Sequence, residues 1–107
     1  MTASDAVDKD LEERVQARIQ SYALTFLKKK KEKVPALLNE LETGVFEPSK
    51  RFGHDLKGNS RSFGFIHLET LGRELEKASL SNHSVESAVL VLKEISKELS
   101  YHIASRR

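Results

Sequence analysis

Apolar residues recur at three- and four-residue steps along nearly the whole chain, and no segment alternates with the period of two that a strand requires. Leu11, Val15, Ile19, Tyr22, Ala23, Phe26 and Leu27 begin the first helical run, which continues through Val34, Leu37, Leu38 and Leu41. Pro35 lies inside it and is expected to bend or interrupt it, so one long helix and a short helix followed by a longer one both stay open. The run ends at Thr43-Gly44, where Gly can take the left-handed conformation that closes a helix. A second helix starts near Glu47-Pro48, proline being suited to a first turn, and stops near Gly64. A third carries Leu68, Leu71, Leu75 and Ala78 and dissolves in the polar segment Ser79 to Ser84. Asn82 or Ser84 caps the last helix, marked by Val85, Ala88, Val89, Leu92, Ile95, Leu99 and Ile103. Four amphipathic helices on short turns predict an all-α, antiparallel up-down four-helix bundle with a short N-terminal helical extension. Residues 1–7 are expected to fray.

A chain of 107 residues makes one domain, here residues 1–107, with a modest core. The charge of +2 is too weak to argue for a nucleic-acid partner. There is no cysteine, which excludes a disulfide framework, a thiolate zinc site and a thiol nucleophile. No apolar run approaches the roughly 20 residues that span a bilayer. The acidic, polar start from Met1 to Asp10 excludes a secretory signal, so the expected address is the cytoplasm, with no membrane partner. Met1 and the Arg106-Arg107 end fit a complete short protein.

The loudest charge run, Lys28-Lys29-Lys30-Lys31-Glu32-Lys33, lacks interleaved aromatics and reads as a solvated helix face whose lysine stems cover apolar neighbours. His67, His83 and His102 show no metal-ligand spacing and read as surface or half-buried histidines, so no metal is expected. Paired carboxylates such as Glu12-Glu13 have no apolar setting that would tune them for acid–base work. No Gly-rich nucleotide loop or Walker-type lysine is present, so neither ATP hydrolysis nor a bound cofactor is expected.

His54 stands apart. At about 100° per residue, Lys50, Arg51, His54, Lys57, Gly58 and Arg61 share one side of the second helix, with Phe52, Leu56, Asn59, Ser60 and Phe63 roughly opposite. The imidazole is thus expected in the middle of a basic, solvent-facing stripe, with a cation and a gap in the side-chain surface one turn beyond it. Such an arrangement suits the passage of an anionic group through a histidine. Gly53 and Gly58 each cost roughly 0.5–1 kcal/mol relative to Ala inside a helix. They serve either the close approach of another protein or contact between helices.

Hairpin arithmetic adds a partner. If the chain turns at Gly64-Phe65, His54 lies eleven residues before Phe65 and Glu76 eleven after, so the two come level on adjacent helices. A carboxylate there can accept a hydrogen bond from Nδ1–H, fixing the tautomer and leaving Nε2 as a free nucleophile. An ordinary exposed glutamate is the alternative.

The residues His54-Asp55-Leu56-Lys57-Gly58, then Ser60, Phe63-Gly64, Leu68, Leu71 and Leu75-Glu76, resemble the signature of histidine-containing phosphotransfer (HPt) domains. The likeness is specific over about residues 44–79, and Phe63-Gly64-Phe65 with Glu76 is also similar to the phosphorylated N-terminal domain of chemotaxis kinases. It implies a four-helix bundle that shuttles a phosphoryl group between receiver-domain aspartates of a two-component phosphorelay. By that resemblance His54 is the phosphoacceptor, Lys57 neutralises the phosphoryl group, Gly58 gives clearance to the receiver, and Glu76 holds Nδ1. Lys50, Arg51 and Arg61, with Lys57, complement the receiver's acidic pocket and steer association; magnesium belongs to that receiver. Two departures are Gly53, where the family usually has Ala, and Asn59, in place of a small residue. The implied protein is a monomeric phosphocarrier without kinase activity of its own. The alternatives are a phosphoacceptor domain of a larger, chemotaxis-type histidine kinase and a helical adaptor that is never phosphorylated.

Overall fold

The computed structural model describes residues 3–80 and 84–106, with side chains from residue 9 onward. They form α1 (Ala3–Glu42), α2 (Glu47–Phe63), α3 (Ile66–Ala78) and α4 (Val85–Ala104), with no strand among the described residues. α1 begins inside the segment expected to fray; residues 1 and 2 lie outside the described residues.

The question left open at Pro35 has one answer: α1 is a single helix of 40 residues that runs through it. Proline cannot donate to the carbonyl four residues back, that of Lys31, and both positions are exposed, so water can satisfy the freed oxygen. The turns follow the chain's punctuation. Gly44 (φ 81°) and Gly64 (φ 75°) both take the left-handed conformation. After Gly64 the Phe65 amide donates to the Ser60 carbonyl at 2.9 Å, closing α2 and aiming the chain back along it. Of the two caps considered for α4, Ser84 serves: its Oγ accepts from the Ser87 amide at 3.3 Å. Asn82 lies outside the described residues.

Each helix packs against its neighbour in sequence, and α4 closes the ring on α1. Leu27, Leu41, Leu56, Leu68, Leu75, Leu92, Ile95 and Leu99 are fully buried between them. At the α2–α3 turn Phe26, Phe63 and Phe65 stack, with Phe26 and Phe63 ring centroids 5.2 Å apart. Asn59, placed by the helical wheel on the inner side, is exposed.

The apolar row that opens α1 does not join this core. Leu11, Val15, Ile19 and Tyr22 are 58%, 46%, 41% and 63% exposed. The reason is length. At 1.5 Å per residue a helix of 40 residues runs about 60 Å, against about 30 Å for the 20 residues of α4, the longest of the others. The described chain is accordingly 62 Å long, and the N-terminal extension is α1 continued past its neighbours.

The lysine run is not uniform either. Lys28, Lys29, Lys31 and Lys33 are exposed, but Lys30 is buried, its Nζ 5.9 Å from the Phe26 ring centre and 5.4 Å from that of Phe52. A solvated face accounts for the others. Lys30 instead seals the α1–α2 seam with its stem and holds its ammonium on two aromatic faces. Desolvation lowers its pKa, Lys33 adds to the effect and Asp55 opposes it.

Candidate functional site

The site rests on an unusually close helix crossing. A Cβ on Gly53 would stand 2.7 Å from the Gly72 carbonyl oxygen and 2.8 Å from the Glu76 amide nitrogen. One on Gly72 would stand 2.7 Å from the Lys57 amide nitrogen. Backbone thus touches backbone where α2 meets α3, and only glycine permits it. Of the two readings open for Gly53, contact between helices is the right one. Gly58 differs: nothing lies within 4 Å of a Cβ built there, and the residue faces solvent.

That crossing brings three side chains together. His54 is exposed, and its Nδ1 lies 2.9 Å from Glu76 Oε2. The other carboxylate oxygen, Oε1, accepts from Lys57 Nζ at 2.9 Å. The hairpin arithmetic therefore paired the right residues, and Glu76 is no ordinary surface glutamate. Its side chain is only 25% exposed. Its carboxyl is held below the usual carboxylate range, chiefly by the Lys57 hydrogen bond and less by His54, against the opposing effect of partial burial. An ionised carboxylate only accepts, so the imidazole must donate from Nδ1–H. The neutral ring then keeps its lone pair on Nε2.

A family model described as Hpt domain matches residues 21–102. The chain belongs to the Hpt domain family. No curated protein and no solved structure matches it. Hpt domains take part in histidine phosphotransfer within phosphorelays and interact with receiver domains. The matched span of this Hpt domain holds the whole His54–Glu76–Lys57 cluster and leaves out most of the exposed part of α1.

The remaining basic residues of α2 are dispersed. Lys50 is half-buried; Arg51 is exposed and, with Lys30, Lys33, Phe52 and Asp55, lines a cleft of about 460 Å³. Arg61 is engaged elsewhere: its Nε and Nη2 both donate to Glu69 Oε1, at 2.9 and 2.8 Å. Arg73 approaches the same oxygen at 3.6 Å. Reading the sequence missed this clamp, although hairpin arithmetic about Phe65 sets Glu69 level with Arg61. It also missed Gly72, whose position in mid-helix carries the same signal as Gly53.

His67 is exposed and His102 half-buried, with Glu98 between them; His102 Nε2 lies 3.1 Å and His67 Nε2 3.9 Å from its carboxylate. His83 lies outside the described residues. Among the described residues no three His, Cys, Asp or Glu side chains group to hold a metal ion, and no helix is long and apolar enough to cross a membrane.

Proposed function

We propose that this Hpt domain carries a phosphoryl group on Nε2 of His54 between the aspartates of receiver domains. The observation that carries the reading is the hydrogen bond from His54 Nδ1 to an ionised Glu76 on an exposed ring. The Nε2 lone pair attacks phosphorus in a receiver's aspartyl phosphate. The N–P bond forms as the P–O bond to the carboxylate breaks, and that carboxylate leaves with the electron pair. Nδ1 keeps its proton, so the ring becomes an imidazolium stabilised by Glu76. Transfer onward reverses these steps at a second receiver's aspartate.

Lys57 serves twice. In the resting site its ammonium donates to Glu76 Oε1, which fixes the carboxylate with Oε2 on His54 Nδ1 and so holds the tautomer. Once the phosphoryl group is in place, the same ammonium neutralises part of its charge of about −2. The open surface at Gly58 lets the receiver bring its aspartate in line with Nε2. Lys50 and Arg51 add long-range attraction to an acidic receiver pocket, and the receiver supplies the magnesium. The domain is a cytoplasmic carrier that neither binds nor hydrolyses ATP.

Incubation with a phosphorylated receiver domain tests the reading. Wild-type protein should gain acid-labile phosphate as the receiver loses it, and His54→Gln should gain none while keeping its helical circular dichroism. Labelling of that variant would refute the assignment of His54. Absence of labelling on the wild type by any receiver of the source organism would favour the helical adaptor.

A further inference from the structure

We propose that the exposed N-terminal part of α1 is a self-association element, which crosses the same segment of a second copy in antiparallel fashion with the two-fold axis beside Val15. The inference does not depend on phosphotransfer. Every residue from Lys9 to Tyr22 is exposed, and an uncovered helix of this length is marginal in water. Yet it concentrates its large apolar side chains on one face. At about 100° per residue, Leu11, Val15, Ile19 and Tyr22 fall within an arc of about 80°. Phe26, half-buried, continues that row toward the bundle. A stripe of this kind calls for a cover.

The charge pattern selects the cover. Before the middle of the stripe come Asp5, Asp8, Asp10, Glu12 and Glu13, with Lys9 the one base; residues 14–27 contain Arg14 and Arg18 and no acid. The sign changes between Glu13 and Arg14, and the row Leu11, Val15, Ile19 is centred one residue further on. A partner helix of the same sequence, reversed about Val15, sets Glu12 of each copy level with Arg18 of the other, while Arg14 stays on Asp10 of its own helix at 2.9 Å. It also sets Leu11 of one copy against Ile19 of the other and Val15 against itself. Parallel pairing would oppose like charges along the whole segment and crowd both bundles at one end. Reversal sends the bundles to opposite ends, where neither obstructs the other.

The spacing sets the geometry. Leu11, Val15 and Ile19 form a ridge of four-residue steps, and two such ridges interdigitate at a steep crossing, about −50°. Contact is therefore concentrated around Val15 and does not extend as a long coiled coil. An interface this small belongs to the weak class, below about 1,200 Å², so association should depend on concentration.

Sedimentation of the full chain from low-micromolar to near-millimolar concentration should show its mass rising from 12.1 kDa toward twice that value. Val15→Lys should hold the mass at one chain throughout with an unchanged melting temperature, since Val15 lies outside the bundle core. Because the chain has no cysteine, single substitutions report the register. On mild oxidation Val15→Cys should cross-link to itself. Leu11→Cys and Ile19→Cys should each stay monomeric alone and cross-link when mixed. Self-cross-linking of all three would show a parallel pair, and a single-chain mass at every concentration would show that the stripe serves another partner. Either result overturns the proposal.

Discussion

Substituting alanine at two glycines on one helix should have opposite effects. In a solvent-facing helix Gly→Ala gains about 0.8–1 kcal/mol, and Gly58→Ala should show that gain, because a Cβ there meets nothing within 4 Å. At Gly53 the new Cβ would lie 2.7 Å from the Gly72 carbonyl oxygen, where ordinary contact begins at 3.4 Å. The neighbours are main-chain atoms that no rotamer change can move, so α2 and α3 must separate by about 0.7 Å, the difference between those distances. Overpacking of this kind costs about 1–3 kcal/mol. Set against the propensity gain, Gly53→Ala should lose about 1 kcal/mol. For a domain of this size that lowers Tm by about 4–8 °C, and Gly58→Ala should raise it by a similar amount. The same separation, taken rigidly, would stretch the His54–Glu76 contact from 2.9 Å to about 3.6 Å, beyond hydrogen-bonding range. Thermal melts of both variants and nitrogen-15 NMR of the imidazole check this. A Gly53→Ala protein as stable as wild type, with the Nδ1–H tautomer intact, would refute the backbone-contact argument.

Other expectations follow from individual side chains. The pKa of Glu76 is depressed on folding, so its interactions stabilise the protein above the ordinary carboxylate range and are lost as pH falls through the lower folded value. The Tm difference between wild type and Glu76→Gln should thus be constant near neutrality and close below about pH 4; a difference that persists there would contradict the ion-pair account. Ser60 Oγ is buried with no hydrogen-bond partner, so Ser60→Ala should be neutral or stabilise by up to about 1 kcal/mol, as denaturant melts would show. Lys57→Ala should slow phosphotransfer in both directions, reduce the Nδ1–H tautomer population and lower Tm no more than Glu76→Gln does, since both remove the same ion pair; wild-type rates over a range of salt concentrations would count against it.

Most of this architecture was legible because it depends on local rules. Periodicity located the helices, Gly44 and Gly64 the turns, and a symmetric count about Phe65 placed Glu76 on His54. What stayed hidden depends on tertiary distance. Pro35 could have broken α1; whether it did turned on the exposure of Lys31, which periodicity does not report. Leu11, Val15 and Ile19 have the spacing of core residues, but burial needs a neighbouring helix long enough to reach them. Lys30 has the composition of a surface lysine, and only the positions of Phe26 and Phe52 make its burial tolerable. Gly53 and Gly58 cost the same in a helix, and the presence of Gly72 opposite only one of them assigns their different tasks. Arg61 lay on the right face for a partner, but Glu69 could be paired with it only after the hairpin was traced about two turns closer to the bend.

The charge count at the proposed centre bears on why such a carrier can run in both directions. At rest, neutral His54, ionised Glu76 and the Lys57 ammonium sum to zero. Phosphorylation adds about −2 on the phosphoryl oxygens and +1 on the ring, leaving a net charge of about −1. Full compensation would make the phosphorylated state a sink, since donation would then have to separate strong opposite charges in a partly buried site. A bare phosphoryl group with no cation would be lost to any acceptor. On the proposed mechanism Lys57 would adjust this balance by moving from Glu76 to the phosphoryl group, while Glu76 would retain the imidazolium. Adding a second cation beside the ring should therefore slow donation more than acceptance. Gly58→Lys, one turn beyond His54 on the exposed face, tests this: impaired docking slows both directions alike, so the ratio of donation to acceptance rates against one receiver should fall, and an unchanged ratio would refute the balance argument.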